Sequence, residues 1–269
     1  ARRLRDAIAS NRQQLQYPRK VRRKLVREYV GRNYASGGPQ NMRAMNPLNL
    51  LVDVLSPVLA GGQPAAFVTT DHAHLRRHAL ILERDLNNWA KKARFGETME
   101  EIVRDAIFFV GIAKVGIGPK GEFVERVSLD DLIIDMKARR LDQVQFIGNS
   151  YPIRLDALKK DRRFDQKKVR MLVPEDSVEY DETGEERVDR MTREEMDFTD
   201  PLHDIVWLED VYLPEEGKLV TMPMSDGQLA SENPVLASID WDGCESGPYS
   251  LLRFYPVPDQ IMPLSPAAS

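Results

Sequence analysis

The stretch TMEEIVRDAIFFVGIAKVGIG, residues 98–118, predicts a helix that leads directly into a strand. Its apolar residues recur at helical spacing and form one face: Met99, Ile102, Val103, Ala106, Ile107 and Val110. Thr98 and Glu101 have the spacing of an N-terminal capping box, and Gly111 is placed to end the helix. We therefore expect this helix to bury one face against a small sheet.

The residues that follow predict the sheet itself. Segments 112–117 and 122–127 read as two strands joined by a turn over 118–121, and residues 132–134 form a third short strand that ends at Asp135. The glycines of this turn match the dinucleotide fingerprint G-x-G-x-x-G in spacing only. That fingerprint requires a helix after the turn, whereas Pro119 and FVERV predict a hairpin.

The composition limits the class of protein. The chain has 269 residues, 42% apolar and 7% aromatic, with a formal net charge of -4. No apolar run approaches the roughly 18 residues that span a bilayer, and no secretory segment is visible, so no membrane partner is expected. The single cysteine, Cys244, excludes an internal disulfide framework and a zinc site built on several cysteines.

The net charge conceals an asymmetry along the chain. Residues 2–43 carry about twelve Lys and Arg against two acids, whereas residues 175–216 carry about seventeen acids against three arginines. Residues 2–33 predict a helix broken near Pro18, with six cations around an apolar stripe: Arg19, Lys20, Arg22, Arg23, Lys24 and Arg27. Because no matching acids lie nearby in sequence, these cations need water, phosphate or another subunit. Two interpretations stay open: a solvated basic face, or contact with a phosphate backbone or an acidic neighbour.

Two further helices are predicted before the central stretch. Asn46-Pro47 starts a strongly apolar one that ends at Gly61, and AAFVTT at 65–70 reads as a short strand. Asp71 is placed to cap the second helix. Its apolar residues alternate by three and four and predict a seam packed along its length: Leu75, Ala79, Leu82, Leu86, Trp89 and Ala93.

The second half of the chain predicts strands around a charged insertion. Residues 143–151 read as a strand, 152–160 as a short helix, and 205–213 with 218–224 as a hairpin that 235–241 and 249–255 extend. We expect an α+β fold, with an N-terminal helical layer packed on a small mixed sheet and followed by a β-rich section. Its predicted segments are 1–110 (helical), 111–160 (small sheet and short helix), 161–203 (charged and mobile) and 204–269 (β-rich).

Candidate metal ligands occur in two places. His72, His74 and His78 follow Asp71, and Asp130, Asp131 and Asp135 flank the third strand. His74 and His78 lie four residues apart and could face one way on a helix as a metal pair, but no strong third ligand accompanies them at a known spacing. Strand alternation separates Asp130 from Asp131. Polar helix-start and turn chemistry is therefore favoured for both groups. No nucleophile is paired with a base, and Cys244 has no histidine nearby. We predict no catalytic residue, no metal and no cofactor.

The order of elements resembles the N-terminal half of a tailed-bacteriophage portal protein. The resemblance is carried by five stretches, in this order: REYVGRNY, NPLNLLVDVLSPVLAGGQPAAFVTT, ALILERDLNNWAKKARFGETMEEIVRDAIFFVGIAKVGIG, SLDDLIIDMKARRLDQVQFIGNSYPIRLDALKK and YSLLRFYPVPDQIMPLSP. Each stretch is similar to its portal counterpart in its pattern of residue types. The resemblance depends on all five stretches occurring in the same order. No stem, clip or crown can be fitted after Ser269, so the resemblance implies the wing portion of a portal.

The resemblance implies a structural virion protein. Portals form a ring, expected here as a dodecamer, at one capsid vertex, through which double-stranded DNA is packaged and ejected and to which the tail attaches. Implied partners are further copies of the chain, the major capsid protein, a head-tail adaptor, the terminase and double-stranded DNA, with assembly in the host cytoplasm. The alternatives are a DNA-binding or head-tail connector module of another kind, and a metal-dependent nuclease that uses Asp130, Asp131 and Asp135.

Overall fold

The computed structural model describes residues 2–30, 46–62, 64–118, 121–172, 204–224, 229, 233–244 and 246–268. The helices in these ranges are α1 Arg2–Tyr29, α2 Pro47–Ala60, α3 Arg76–Lys92, α4 Phe95–Phe108, α5 Leu155–Lys160 and α6 Gln166–Val169. The strands are β1 Gly111–Gly118, β2 Gly121–Val127, β3 Leu132–Ile134, β4 Ile147–Arg154, β5 Ile205–Leu213, β6 Lys218–Pro223, β7 Ala237–Asp240 and β8 Tyr249–Leu252. The predicted α+β class, helices first and strands after, is confirmed.

The chain forms two compact units, each made of separate stretches. The first unit comprises Ala1–Ser10 and Gln145–Gly243, and the second comprises Asn11–Val144 and Cys244–Ser269. These units cut across the four predicted segments, because strand pairing joins residues far apart in the sequence. Segment 204–269 in particular is divided between the two units.

The sheet of the second unit has the order β2-β1-β8, and both pairings are antiparallel. The predicted hairpin is present, with Ile112 opposite Val127 and Gly118 opposite Gly121. The prediction that 249–255 extends the hairpin at 205–224 is wrong, since β8 pairs with β1. Tyr249, the first residue of β8, is fully buried. Pairing with β1 therefore gives β8 its backbone hydrogen bonds and also buries its tyrosine in this unit.

Helix α4 supplies the core of the second unit. Its buried residues pack with α1 and α2 in one cluster: Leu25, Leu48, Val52, Val103, Ile107 and Phe108. The rings of Tyr29 and Phe108 meet edge to face, with centroids 5.3 Å apart. Val103 and Ile107 belong to the face that the helical spacing predicts, whereas Phe108 does not.

The ends of α4 differ from the prediction. The helix begins at Phe95 after Arg94, which has a left-handed backbone (φ 51°), and Thr98 N already bonds to Arg94 O. The capping box at Thr98 is therefore wrong, because a full turn precedes it. Gly111 does not cap the helix but opens β1, where a Cβ atom would collide with the carbonyl oxygen of Ile102. Glycine is needed at this position for the close approach of strand to helix.

Helix α1 runs without interruption through Pro18, so the predicted break is wrong. Proline removes one backbone hydrogen bond from a helix. Pro18 is itself buried, between the buried Leu15 and Leu25 on the same helix, and this packing offsets the missing bond. The start of α2 follows the prediction, since the Asn46 side chain accepts a hydrogen bond from Asn49 N at 3.1 Å and Pro47 occupies the first turn.

In the first unit, β4, β5, β6 and β7 are neighbours in that order, and each pair is antiparallel. The predicted hairpin between β5 and β6 is confirmed. The buried core beside these strands includes Phe164, Val169 and Leu172, so packed structure continues through the first part of the predicted insertion at 161–203. Asp165 caps α6 by accepting from Lys167 N. Residues 173–203 lie outside the described ranges.

Ile107→Ala is expected to lower the free energy of unfolding by roughly 2–5 kcal/mol, because Ile107 is 1% exposed and its removal leaves a cavity in the α4 core. Urea denaturation followed by circular dichroism measures the loss. Ile117→Ala is the matched control, since Ile117 is 77% exposed and its truncation should change little. Equal losses in the two variants would show that the core does not lie at α4.

Tyr151→Phe is expected to flatten the alkaline decline of stability. The pKa of Tyr151 is raised well above its usual value of 10, first by burial and then by the nearby charge of Asp210, whose Oδ1 accepts a hydrogen bond from the Tyr151 hydroxyl at 3.1 Å. The folded state thus keeps a proton that the unfolded chain releases. The contribution of Tyr151 to the free energy of unfolding is therefore complete below about pH 10 and is lost at higher pH. Denaturation at pH 9 and 11 measures it, and an unchanged slope relative to the parent contradicts the assignment.

Candidate assembly surface

Residues 64–92 form an arm in which an extended segment, 64–70, lies along α3. Ala66 N donates to Asn87 Oδ1 at 2.8 Å, and Asn87 Nδ2 donates to Ala66 O at 3.0 Å. Val68 N donates to Glu83 Oε2 at 3.1 Å. The predicted strand at 65–70 is therefore wrong, because side chains of a helix, rather than a neighbouring strand, satisfy its backbone.

The turn of the arm contains the clustered histidines. A short 3₁₀ turn, Ala73–Leu75, precedes α3, and Leu75 N bonds to His72 O. Asp71 consequently does not cap α3, which begins after Leu75 without a side-chain cap. Asp71 and the three histidines are all exposed, with the rings of His72 and His74 5.6 Å apart. Across the described ranges, no group of three potential ligands is placed to hold a metal.

The apolar residues of the arm face solvent. Within α3 only Ala90 is buried, while Leu80 is 66% exposed and Phe67, on the extended segment, is 82% exposed. The predicted seam is half-buried at Ala79, Trp89 and Ala93 but open at its other members, Leu75, Leu82 and Leu86. A helix with apolar residues on several sides is normally buried from more than one direction. The apolar residues of the predicted seam are therefore present, but few of them are buried by the residues that the structure describes.

Helix α2 has a second open apolar stripe. Its inner face, with Leu48 and Val52, packs in the α4 core. Its outer face carries four exposed residues at helical spacing: Leu50, Leu51, Val54 and Val58. The arm and this outer face of α2 therefore each carry several exposed apolar side chains, which is a mark of an interaction surface. We call the arm and this outer face of α2 the apolar surface.

The cations of α1 divide into two groups. Arg22 lies between Asp105 at 3.3 Å and Asp130 at 3.0 Å, and its side chain is only 13% exposed. Asp105, 8% exposed, also accepts from Arg126 Nε at 2.5 Å. Arg23 reaches Asp130 at 3.4 Å. We call these five side chains the ion-pair cluster; it joins α1 to α4, to β2 and to the loop before β3.

Arg19 belongs to the same inward group. Its guanidinium donates to Leu129 O at 3.2 Å and to Leu132 O at 2.9 Å. Burial lowers the pKa of Arg19 to about 10, with the charge of Asp130 opposing the shift, so the group remains charged at neutral pH. Three of the six cations therefore have partners within the chain. The expectation that all six need water, phosphate or another subunit is wrong for Arg19, Arg22 and Arg23, because their partners are distant in sequence.

The carboxylates proposed as metal ligands are engaged in other ways. Asp130 binds Arg22 and Arg23, and its backbone N donates to Ser128 Oγ. Asp135 Oδ1 accepts from Lys137 N at 3.0 Å, which is turn chemistry at a strand end. Among the described residues, these aspartates do not form the group of metal ligands that the nuclease alternative requires.

The remaining cations of the predicted set, Lys20, Lys24 and Arg27, are exposed. None of them makes an ion pair or a side-chain hydrogen bond to any residue that the structure describes. Their spacing of four and three residues places them on one side of α1. Of the six residues predicted to contact phosphate or another subunit, these three therefore remain as candidates.

No protein-family model matches the chain, and no curated protein matches it. Over the residues described here, no helix combines the length and the apolar character that crossing a bilayer requires.

Asp105→Asn is expected to lower the free energy of unfolding by about 3–5 kcal/mol, because it leaves the buried Arg22 without one of its two carboxylates and Arg126 without its partner. The control is Glu100→Gln, which removes an exposed i,i+4 pair with Arg104 and should cost no more than about 0.5 kcal/mol. Chemical denaturation at neutral pH compares the two. A loss at Asp105 no larger than at Glu100 would contradict the buried cluster.

Proposed function

We propose that this chain is a structural subunit that assembles with further copies of itself into a closed ring, and that the ring is the portal of a tailed bacteriophage. The apolar surface carries the first part of the proposal. Several exposed apolar side chains on one folded element mark an interaction site. The arm and the outer face of α2 each carry such a group.

The composition of this surface favours a second copy as the occupant. Helix α2 contains a single charged residue, Asp53, and its outer face is otherwise aliphatic. Permanent homo-oligomeric interfaces resemble a domain core cut in half, whereas transient partners meet more polar surfaces. A surface that would keep an isolated chain poorly soluble is suited to permanent burial in an assembly.

The two parts of the apolar surface are compatible with a ring. A ring of more than two copies uses two different patches on each copy, one for each neighbour. The apolar surface offers two such patches on separate elements, the arm and the outer face of α2. A head-to-tail contact between the arm of one copy and α2 of the next would bury both patches, and it closes a ring when the successive rotations return to the first copy.

The portal assignment rests on the resemblance in the order of the sequence stretches. As the wing portion of a portal, the chain would belong to the virion, at a capsid vertex through which double-stranded DNA passes. Its neighbours there would be the major capsid protein, a head-tail adaptor and, during packaging, the terminase. The strongly acidic composition of residues 175–216 supports this role, because a DNA conduit must not hold phosphates tightly.

Leu80→Glu with Ile81→Glu is expected to convert an assembled parent into monomers, because each glutamate would carry a charge into a desolvated interface. Size-exclusion chromatography with light scattering measures the mass, and circular dichroism should show an unchanged fold since both residues are exposed. Ile117→Glu is the control, on an isoleucine outside the apolar surface that is 77% exposed, more than Leu80 or Ile81.

Negative-stain imaging of the parent separates the two parts of the proposal. Rings with a central channel are expected. A parent that remains monomeric at every soluble concentration contradicts self-assembly, while closed dimers or open filaments would retain self-assembly and contradict the portal.

A further inference from the structure

We propose that the solvent-facing side of α1 between Gln13 and Arg27 binds the phosphate backbone of duplex DNA. Arg19 and Arg22 anchor the inward side of this helix to α4 and to the residues around β3, all within the second unit. The exposed side is consequently presented on a fixed, folded element. A DNA contact made there would not require the helix to form or to reorient.

The exposed side consists of groups that can donate to phosphate. Six residues lie within about a third of the helix circumference and are all exposed: Gln13, Gln16, Tyr17, Lys20, Lys24 and Arg27. We call them the donor stripe. Amide, phenol, ammonium and guanidinium groups are those that proteins use for DNA backbone contacts. The stripe extends over about 21 Å of helix, at a rise of 1.5 Å per residue.

No acid interrupts the donor stripe. The only acidic residues of α1 are Asp6 and Glu28, which lie beyond its two ends. Glu28 is half-buried, and its backbone oxygen accepts from the Asn46 side chain. The three cations therefore act together along one line, toward a polyanion that carries one charge per 1.7 Å of its axis.

The same composition disfavours a protein partner. Protein interfaces depend on a few buried apolar or aromatic anchors surrounded by a polar rim. The donor stripe contains no aliphatic side chain, and Tyr17 at 75% exposure is its single ring. Binding would be weak and independent of base sequence, because donors of this kind position a backbone without reading base edges.

The test is fluorescence anisotropy of a labelled duplex of mixed sequence, titrated with the chain at several salt concentrations. The variant Lys20→Gln, Lys24→Gln, Arg27→Gln removes the three charges and adds none. It is expected to weaken binding at least tenfold at low salt and to reduce the slope of log affinity against log salt by about 2.7, three times the value for one phosphate. The control is Lys159→Gln, Lys160→Gln, Arg162→Gln, which makes the same charge change on exposed cations of the first unit and should bind like the parent.

Repeating the titration with the Leu80→Glu, Ile81→Glu variant separates this inference from ring assembly, since the donor stripe lies on one copy and binding should persist without rings. Absence of duplex binding at low salt, or equal losses in the stripe variant and its control, would overturn the proposal. An acidic peptide of residues 175–190 tests the protein alternative. If that peptide binds the parent more tightly than the duplex does and loses its affinity in the stripe variant, the partner is an acidic protein segment.

Discussion

The carboxylate of Asp105 is the contact on which the second unit depends most directly. It lies between Arg22 of α1 and Arg126 of β2, and Arg22 continues to Asp130 before β3. Buried ion pairs contribute little net stability, because the cost of desolvation offsets their attraction. Their effect is on orientation. A rotation of α1 about its axis would leave Arg22 and Asp105 buried without partners, which is strongly unfavourable. The orientation of α1 determines which cations face inward and which remain available on the donor stripe.

The apolar side chains show a different distribution. Those of α4 are consumed in the core with α1 and α2, whereas those of the arm and of the outer face of α2 remain open. The arm is held together by polar contacts, since Asn87 and Glu83 bind the backbone of 64–70. Its form therefore does not depend on burying its own apolar residues, which leaves them free to bury against another copy. This division between a closed core and an open surface is consistent with the assembling subunit that we propose.

Much of the local structure is predictable from short-range patterns. The hairpins β1–β2 and β5–β6, the start of α2 at Asn46-Pro47 and the buried face of α4 each depend on residues close together in the sequence. Turn residues, proline at a first helical turn and helical periodicity act within a few residues, so they can be interpreted without knowledge of the fold. The six cations of α1 were likewise identifiable as a basic helix.

The tertiary structure alone decided which partner each of these elements has. Arg22 meets acids that are 83 and 108 residues away, and β8 joins β1 across a still longer separation, which no local pattern specifies. The helical periodicity of α3 correctly marks apolar residues, yet periodicity states only that a face is apolar and not whether the same chain covers it. The sequence by itself determined the α+β class, the basic helix and the apolar faces. The fold decided which cations are neutralised and which apolar faces stay open, because both depend on contacts between residues that only folding brings together.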